Sequence, residues 1–318
     1  MDPRVHVSDE ILERFRRVTS ATVYSAVWRH PVEGAEWFAS ANWQRCLMKN
    51  VKPMTHGKTM VGRARTLRFV PPRPDLLEIT RQGENSPEYI AMGTCGPGDV
   101  LVVEAHAAEP EANIVGNMKA RQLWHNDAVG IVADGAIRDL DMIRDDYGLD
   151  IFAGHRSPAG NLPWIEAYEA NEAINCGGVL VLPGDVIVGD DDGVVVVPSQ
   201  LAEGVIDWIE EQDKAEEFVI GLIDEEKAPP GRYYPISEET KERYRRWAAG
   251  RGDFLKQGGT RHMETIFSSE HPPKTMEIER TDDDRLRLVI SLSKLGQTTI
   301  LEYFLDDADV ESLKKALG

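Results

Sequence analysis

Between Gly116 and Asp139 the chain reads GNMKARQLWHNDAVGIVADGAIRD, a stretch whose residue types and spacing could do chemistry together. A glycine opens a helix read over residues 116–129. The first N–H groups of a helix lack intrahelical partners, so the backbone of Gly116, Asn117, Met118 and Lys119 makes an anion site. A buried strand, GIVA at 130–133, then carries the chain back. Asp134-Gly135 reads as a turn that delivers Arg138 and Asp139 to the same end of the sheet, ahead of a further helix. A guanidinium fork pairs well with a carboxylate, and an Asp oxygen suits Mg²⁺ with water filling the remaining positions. By spacing alone an Arg-Asp pair at a helix start also reads as a surface ion pair, and both readings stand at this point.

Other candidates have plainer readings. His125, beside Trp124 and Asn126, reads as a surface or packing histidine. Asp190-Asp191-Asp192-Gly193 between two β-branched runs reads as a turn rather than a calcium loop, and Asp282-Asp283-Asp284 reads the same way. Cys176, before Gly177-Gly178, reads as a buried, inert thiol. Glu210, Glu211, Glu216 and Glu217 share one long helix and read mostly as a solvated face. The sequence has no G-x-G-x-x-G, Walker loop or G-x-S-x-G, so nucleotide binding and serine hydrolysis find no support.

The elements that must position these residues form an α/β pattern. Residues 9–30 have helical spacing, with Ser8 able to cap. Residues 31–60 read as loop with short helical pieces. MVGRARTLRFV follows as a strand closed by Pro71-Pro72. GPGDVLVVEA (96–105) and LPGDVIVGDDDGVVVVP (182–198) resemble each other. In each a Pro-Gly-Asp turn precedes a β-branched run, and the second adds a hairpin. Such repeated short strands predict a compact sheet or barrel core. Helices are read over 200–224 and from Ser237, whose capping box carries Thr240 in place of the usual acid. Residues 250–275, rich in Gly, Ser, His and Pro, read as a linker. Residues 276–318 read as a small β-β-α appendage closed by a short acidic helix.

The chain has 318 residues and a formal net charge of -18. That balance argues against a nucleic-acid surface, which needs clustered Lys and Arg. No stretch approaches the roughly 18–20 apolar residues that span a bilayer, and no membrane association is expected. The N-terminus lacks an apolar signal core. Three cysteines, none in a CxxC pair, fit a reducing, cytoplasmic setting.

The combination VADGAIRDLD (132–141), then CGGVLVLPGDVIVGDDDGVVVVP (176–198), with GPGDVLVVEA upstream, resembles the RraA-like / HMG-CHA aldolase (4-hydroxy-4-methyl-2-oxoglutarate aldolase) family. The resemblance covers most of residues 10–245 and implies a domain over 1–249 with a compact β core flanked by helices. It implies a class II pyruvate aldolase: Mg²⁺ (or Mn²⁺) on Asp139, and Arg138 stabilising the oxyanion as a 4-hydroxy-2-oxo acid breaks to a pyruvate enolate. The substrate carboxylate would lie on the N–H groups of 116–119, with a water on the metal as proton carrier. Oxaloacetate decarboxylation uses the same enolate. The resemblance further implies a homotrimer or homohexamer, in which an acid from a neighbouring subunit, here Glu216, enters the site. The family's aldolases carry Asp at the position of Asn117 and commonly an acid at that of Met142. Other members regulate ribonuclease E by protein contact, so a non-catalytic binding protein is the alternative.

Overall fold

The computed structural model describes residues 5–29, 45–105, 112–161, 164–256, 264–271, 274–280, 286–294 and 297–305. The chain divides into two compact units, Met1–Glu226 and Lys227–Gly318. The division falls earlier than the 249 boundary read from the sequence.

In the first unit the strands are β1 (Lys52–Pro53), β2 (Met60–Val70), β3 (Asp99–Glu104), β4 (Asn113–Val115), β5 (Gly130–Ile137) and β6 (Asp150–Arg156). They continue as β7 (Glu166–Ala170), β8 (Ile174–Cys176), β9 (Val179–Val181), β10 (Val186–Asp190) and β11 (Gly193–Val197). The helices are α1 (Asp9–Phe15), α2 (Ser20–Arg29), the single turn α3 (Leu77–Thr80), α4 (Pro87–Gly93), α5 (Asn117–His125) and α6 (Ala202–Glu226). The main sheet runs β1-β6-β5-β3-β2-β10-β11, with β4 added to β5 and β7 to β2. β2, β3, β5 and β6 pair in parallel, and the β10–β11 hairpin is antiparallel.

The sheet curls into a nearly closed barrel, and a loop segment links its two ends. Met48 N–H donates to Val194 O on β11, and Val196 N–H on β11 donates to Cys46 O. A few residues on, Lys52 and Pro53 pair with Ala153 and Phe152 of β6. The barrel interior is filled by Met60, Val100, Val102, Val132, Phe152, Ile187 and the β8–β9 hairpin. One outer face carries α4 and α5 through Ala91, Met92, Ala120 and Leu123. Another carries α1, α2 and α6 through Leu12, Phe15, Val23, Val205 and Ile209.

The two Pro-Gly-Asp repeats fold alike. Asp99 Oδ2 accepts from Gly96 N–H at 3.1 Å, and Asp185 Oδ2 accepts from Leu182 N–H at 2.9 Å. In both the glycine between them holds positive φ, +76° at Gly98 and +94° at Gly184, which L side chains rarely adopt.

Three expectations need correction. The helix read over 9–30 is two helices, because Thr19 Oγ1 accepts from Thr22 N–H and caps a fresh start after α1. Asp134-Gly135 is not a turn but a bulge inside β5. Ala133 pairs with Ala153 and Ala136 with His155, so two residues oppose Gly154 alone. Before the bulge β5 pairs with β3, and after it with β4. The stretch after Arg138 makes one π-helical turn over Met142–Asp146 instead of a full α-helix.

In the second unit, α7 (Glu238–Lys256) begins after Ser237, whose Oγ accepts from Thr240 N–H. The segment read as a linker holds the end of α7 and a strand, β12 (Glu264–His271). That strand leads an antiparallel sheet with β13 (Lys274–Arg280), β14 (Leu286–Lys294) and β15 (Gln297–Leu305). The segment read as a β-β-α appendage thus contributes three strands, β13, β14 and β15, where two were expected, and β12 comes from the segment read as a linker. The acidic closing helix and the Asp282-Asp283-Asp284 turn lie outside the described residues.

Candidate active site

The β5 bulge sets the site. Asp134 is buried within it, and its carboxylate accepts from Ala105 N–H at 2.7 Å and Gly177 N–H at 3.1 Å. This carboxylate ties the ends of β3 and the β8–β9 turn to β5. Beyond the bulge the re-aimed strand delivers Arg138, whose N–H donates to Val115 O at 3.3 Å. Asp139 follows with φ +56°, a left-handed backbone that Asp tolerates better than most residues.

Arg138 and Asp139 fold back over Gly116. A Cβ there would lie 2.8 Å from Asp139 Oδ2 and 2.9 Å from Arg138 Nε, so any side chain at this position would push those two side chains aside. Asp139 Oδ2 accepts from Asn117 N–H at 2.9 Å and lies 3.6 Å from Arg138 Nε. The carboxylate thus takes up one orphan donor at the start of α5 and complements the positive end of the helix dipole. Among the described residues its Oδ1 has no hydrogen-bond partner. Both side chains are about two-fifths exposed, open to a ligand.

The anion site read from the sequence is narrower than expected. Asn117 N–H is taken by Asp139, and Lys119 N–H is taken by Gly116 O at 3.1 Å. Of the N–H groups at 117–119, that of Met118 is left without an acceptor among the described residues. The Lys119 ammonium points away from the site as well, bonding Glu88 Oε2 at 2.5 Å and Ile114 O at 3.1 Å. Glu88 lines a cleft of about 250 Å³ with Arg81, Tyr89 and Glu166. A second cleft, about 290 Å³, opens at the barrel mouth between Lys49, Glu104, Asp134 and Asn175.

One neighbour was missed in the sequence. The Tyr147 hydroxyl donates to Asn117 Oδ1. Its ring stacks on Trp124 with centroids 5.4 Å apart. No motif marks it, since its reach depends on the π turn. Met142 is exposed on that turn, and Met118 is exposed at the start of α5.

Glu216 does not join this group within one chain. It stands exposed on α6, whose N-terminal half packs on α1 and α2. His125 is exposed at the end of α5, its ring tilted against Trp124. Cys176 is fully buried, its thiol pushed well above the ordinary range by burial, and Sγ donates to Val103 O. The Asp190–Gly193 turn is structural as read. Asp190 also accepts from Ser20 N–H and Oγ–H, and Asp191 from Gly57 N–H.

The chain is similar to several known proteins. A protein of Halalkalibacterium halodurans named "Putative 4-hydroxy-4-methyl-2-oxoglutarate aldolase" is 32% identical over 166 residues, 50% of this chain and 70% of that protein. One of the same name from Pseudomonas aeruginosa is 34% identical over 112 residues, 33% of this chain and 64% of that protein. The crystal structure of Streptomyces coelicolor RraAS2, described as an unusual member of the RNase ES inhibitor RraA protein family, aligns with TM-score 0.56 and 29% identity. That alignment covers 67% of this chain and 97% of the other. The RraA-like family model (Aldolase/RraA) matches residues 8–196, which hold every strand of the barrel but the last residue of β11 together with Gly116, Arg138 and Asp139: this chain belongs to the RraA-like family.

Proposed function

We propose that the protein is a divalent-metal-dependent lyase that cleaves a 4-hydroxy-2-oxo acid to pyruvate and a second carbonyl compound, with oxaloacetate decarboxylation through the same enolate. The observation that carries this reading is the packing of Arg138 and Asp139 over Gly116 at the start of α5. The donor set fits Mg²⁺ or Mn²⁺ of the kind held by one carboxylate plus water and substrate oxygens, since Asp139 keeps Oδ1 open. It does not fit a cation caged by protein alone: the described residues hold no group of three or more acids, His or Cys. Asp139 is the residue that would hold the ion, which when bound supplies a Lewis acid that draws charge from the 2-oxo group.

The chain's own groups do the rest. Asp139 is oriented by the Asn117 N–H, so its free oxygen has a fixed direction. Arg138 offers its guanidinium to the substrate carboxylate or to the oxyanion that grows as the C–C bond breaks. Met118 N–H is the helix donor left for a carboxylate oxygen. The exposed Met118 and Met142 side chains give the rim an apolar wall. Glu216 would act from a neighbouring copy in a trimer or hexamer.

A second reading, a non-catalytic protein-binding regulator, draws on Asn117, an amide that neither holds negative charge nor takes a proton. The likeness to RraAS2 points the same way. Pyruvate release measured on a panel of 2-oxo acids, with and without Mg²⁺, separates the two. Metal-dependent release from any member supports the lyase. No release from any of them overturns it in favour of the regulator.

A further inference from the structure

Asn117 has a fixed amide. Its Oδ1 accepts the Tyr147 hydroxyl, and its backbone N–H is held by Asp139. Tyr147 is itself held. It follows a π-helical turn over Met142–Asp146, in which its N–H donates to Met142 O at 3.2 Å, and its ring lies on Trp124. A π turn is rare, and such turns gather at functional sites because they shift the following side chain around the helix. Here the shifted side chain is the one that reaches α5. A carboxamide oxygen has two lone pairs, so the bond from Tyr147 does not use up the acceptor; what it sets is the amide's orientation, with Oδ1 toward Tyr147 and the Nδ2–H₂ group on the other side.

We propose that Tyr147 is a specificity-determining positioning residue: by holding Oδ1 of Asn117 it turns the amide's Nδ2–H₂ toward the site as a donor. The site then selects ligands that present an oxygen acceptor, not an N–H donor, opposite position 117. This rests on the lyase reading, and it assigns position 117 to substrate choice rather than to proton transfer. A carboxylate at 117 would do the reverse, accepting from a donor and repelling an acceptor.

The probes are oxalate and oxamate, two planar mimics of a pyruvate enolate that differ by an O⁻ against an NH₂ and hence by one negative charge, so the change of their ratio between variants carries the test. Calorimetry with Mg²⁺ present gives the ratio of their affinities. The wild type is expected to prefer oxalate. Tyr147→Phe, which keeps the ring on Trp124 and frees the amide to rotate, should lower that preference about tenfold, the scale typical of outer-shell partners. Asn117→Ala, which removes the amide donor without adding a charge, should lower the preference as well, and it tests the idea even if Tyr147→Phe folds poorly; an unchanged ratio in Asn117→Ala would overturn the proposal. A structural role for Tyr147 would weaken both ligands equally and leave the ratio alone, which would overturn the proposal while leaving the lyase reading intact. A wild-type preference for oxamate would overturn it as well, because it would mean that the amide presents its oxygen. Failure of the wild type to bind either ligand would sink the lyase reading, and this inference with it.

Discussion

Gly116, Arg138 and Asp139 are 22 and 23 residues apart along the chain, yet they share one van der Waals surface. Asp139→Ala removes the acceptor of Asn117 N–H and the open carboxylate oxygen together. Mg²⁺ binding by calorimetry and pyruvate release should both fall to background, while the far-ultraviolet circular dichroism stays unchanged. An unaltered Mg²⁺ affinity would show that Asp139 is not the ligand. Gly116→Ala tests the packing instead of the charge. The added Cβ meets two flexible side chains and not backbone, and φ at Gly116 is -121°, open to any residue. The fold should survive with less than about 1 kcal/mol lost, since only cap preference and side-chain shifts are involved. Displacing Arg138 and Asp139 by a fraction of an ångström should still cut kcat/KM by about 10- to 100-fold. Equal kcat/KM in the two proteins would mean that the close approach has no catalytic meaning. These residues were legible in the sequence because each is local to a helix start or a strand end. Tyr147 was not, because a one-residue change in helical winding decides where it points.

Among the elements, the β5 bulge matters most. Asp-Gly carries the chemistry of a turn, and local sequence alone favours that reading. Partners on both sides, β3 and β6, keep the strand going, so the same dipeptide is absorbed as a bulge and the strand changes neighbour. The consequence for energetics is testable. Asp134→Asn keeps the shape but puts an NH₂ where a carboxylate oxygen met a backbone N–H. With Ala105 and Gly177 N–H groups depending on that carboxylate, the variant should lose about 3 kcal/mol in urea unfolding, given the usual cost of a buried charged hydrogen bond. A loss below about 1 kcal/mol would mean that the bulge holds without its acid. The second unit teaches the same lesson. Residues 264–271 have linker composition, but hairpin pairing with β13, from His271↔Lys274 to Glu264↔Arg280, makes them a strand, so sheet pairing overrides local composition.

For the whole molecule, the barrel class was readable from the repeated Pro-Gly-Asp strands, since each repeat folds to the same local geometry. The manner of closure was not, because it depends on where a loop of no clear period comes to rest. Association is the property at this scale that the lyase reading needs, with Glu216 remote from Arg138 in a single chain. Light scattering at micromolar concentration should give three or six times the 35.5 kDa chain mass. A 35.5 kDa particle with full metal-dependent activity would remove Glu216 from the site.

The loop that closes the barrel works as a clasp. Cys46 and Met48 grip β11, and Lys52 and Pro53 grip β6, so a few residues complete a ring whose other seams are continuous ladders. A ring breaks first at its clasp, and opening there leaves the β2–β3–β5–β6 ladder intact. Amide hydrogens of Met48 and Val196 should therefore exchange with deuterium through local opening, well before those of Val102 and Val132, which wait for global unfolding. Because Lys49 and Asn50 lie in the clasp and line the cleft beside Glu104 and Asp134, the same breathing motion would widen and narrow the barrel mouth.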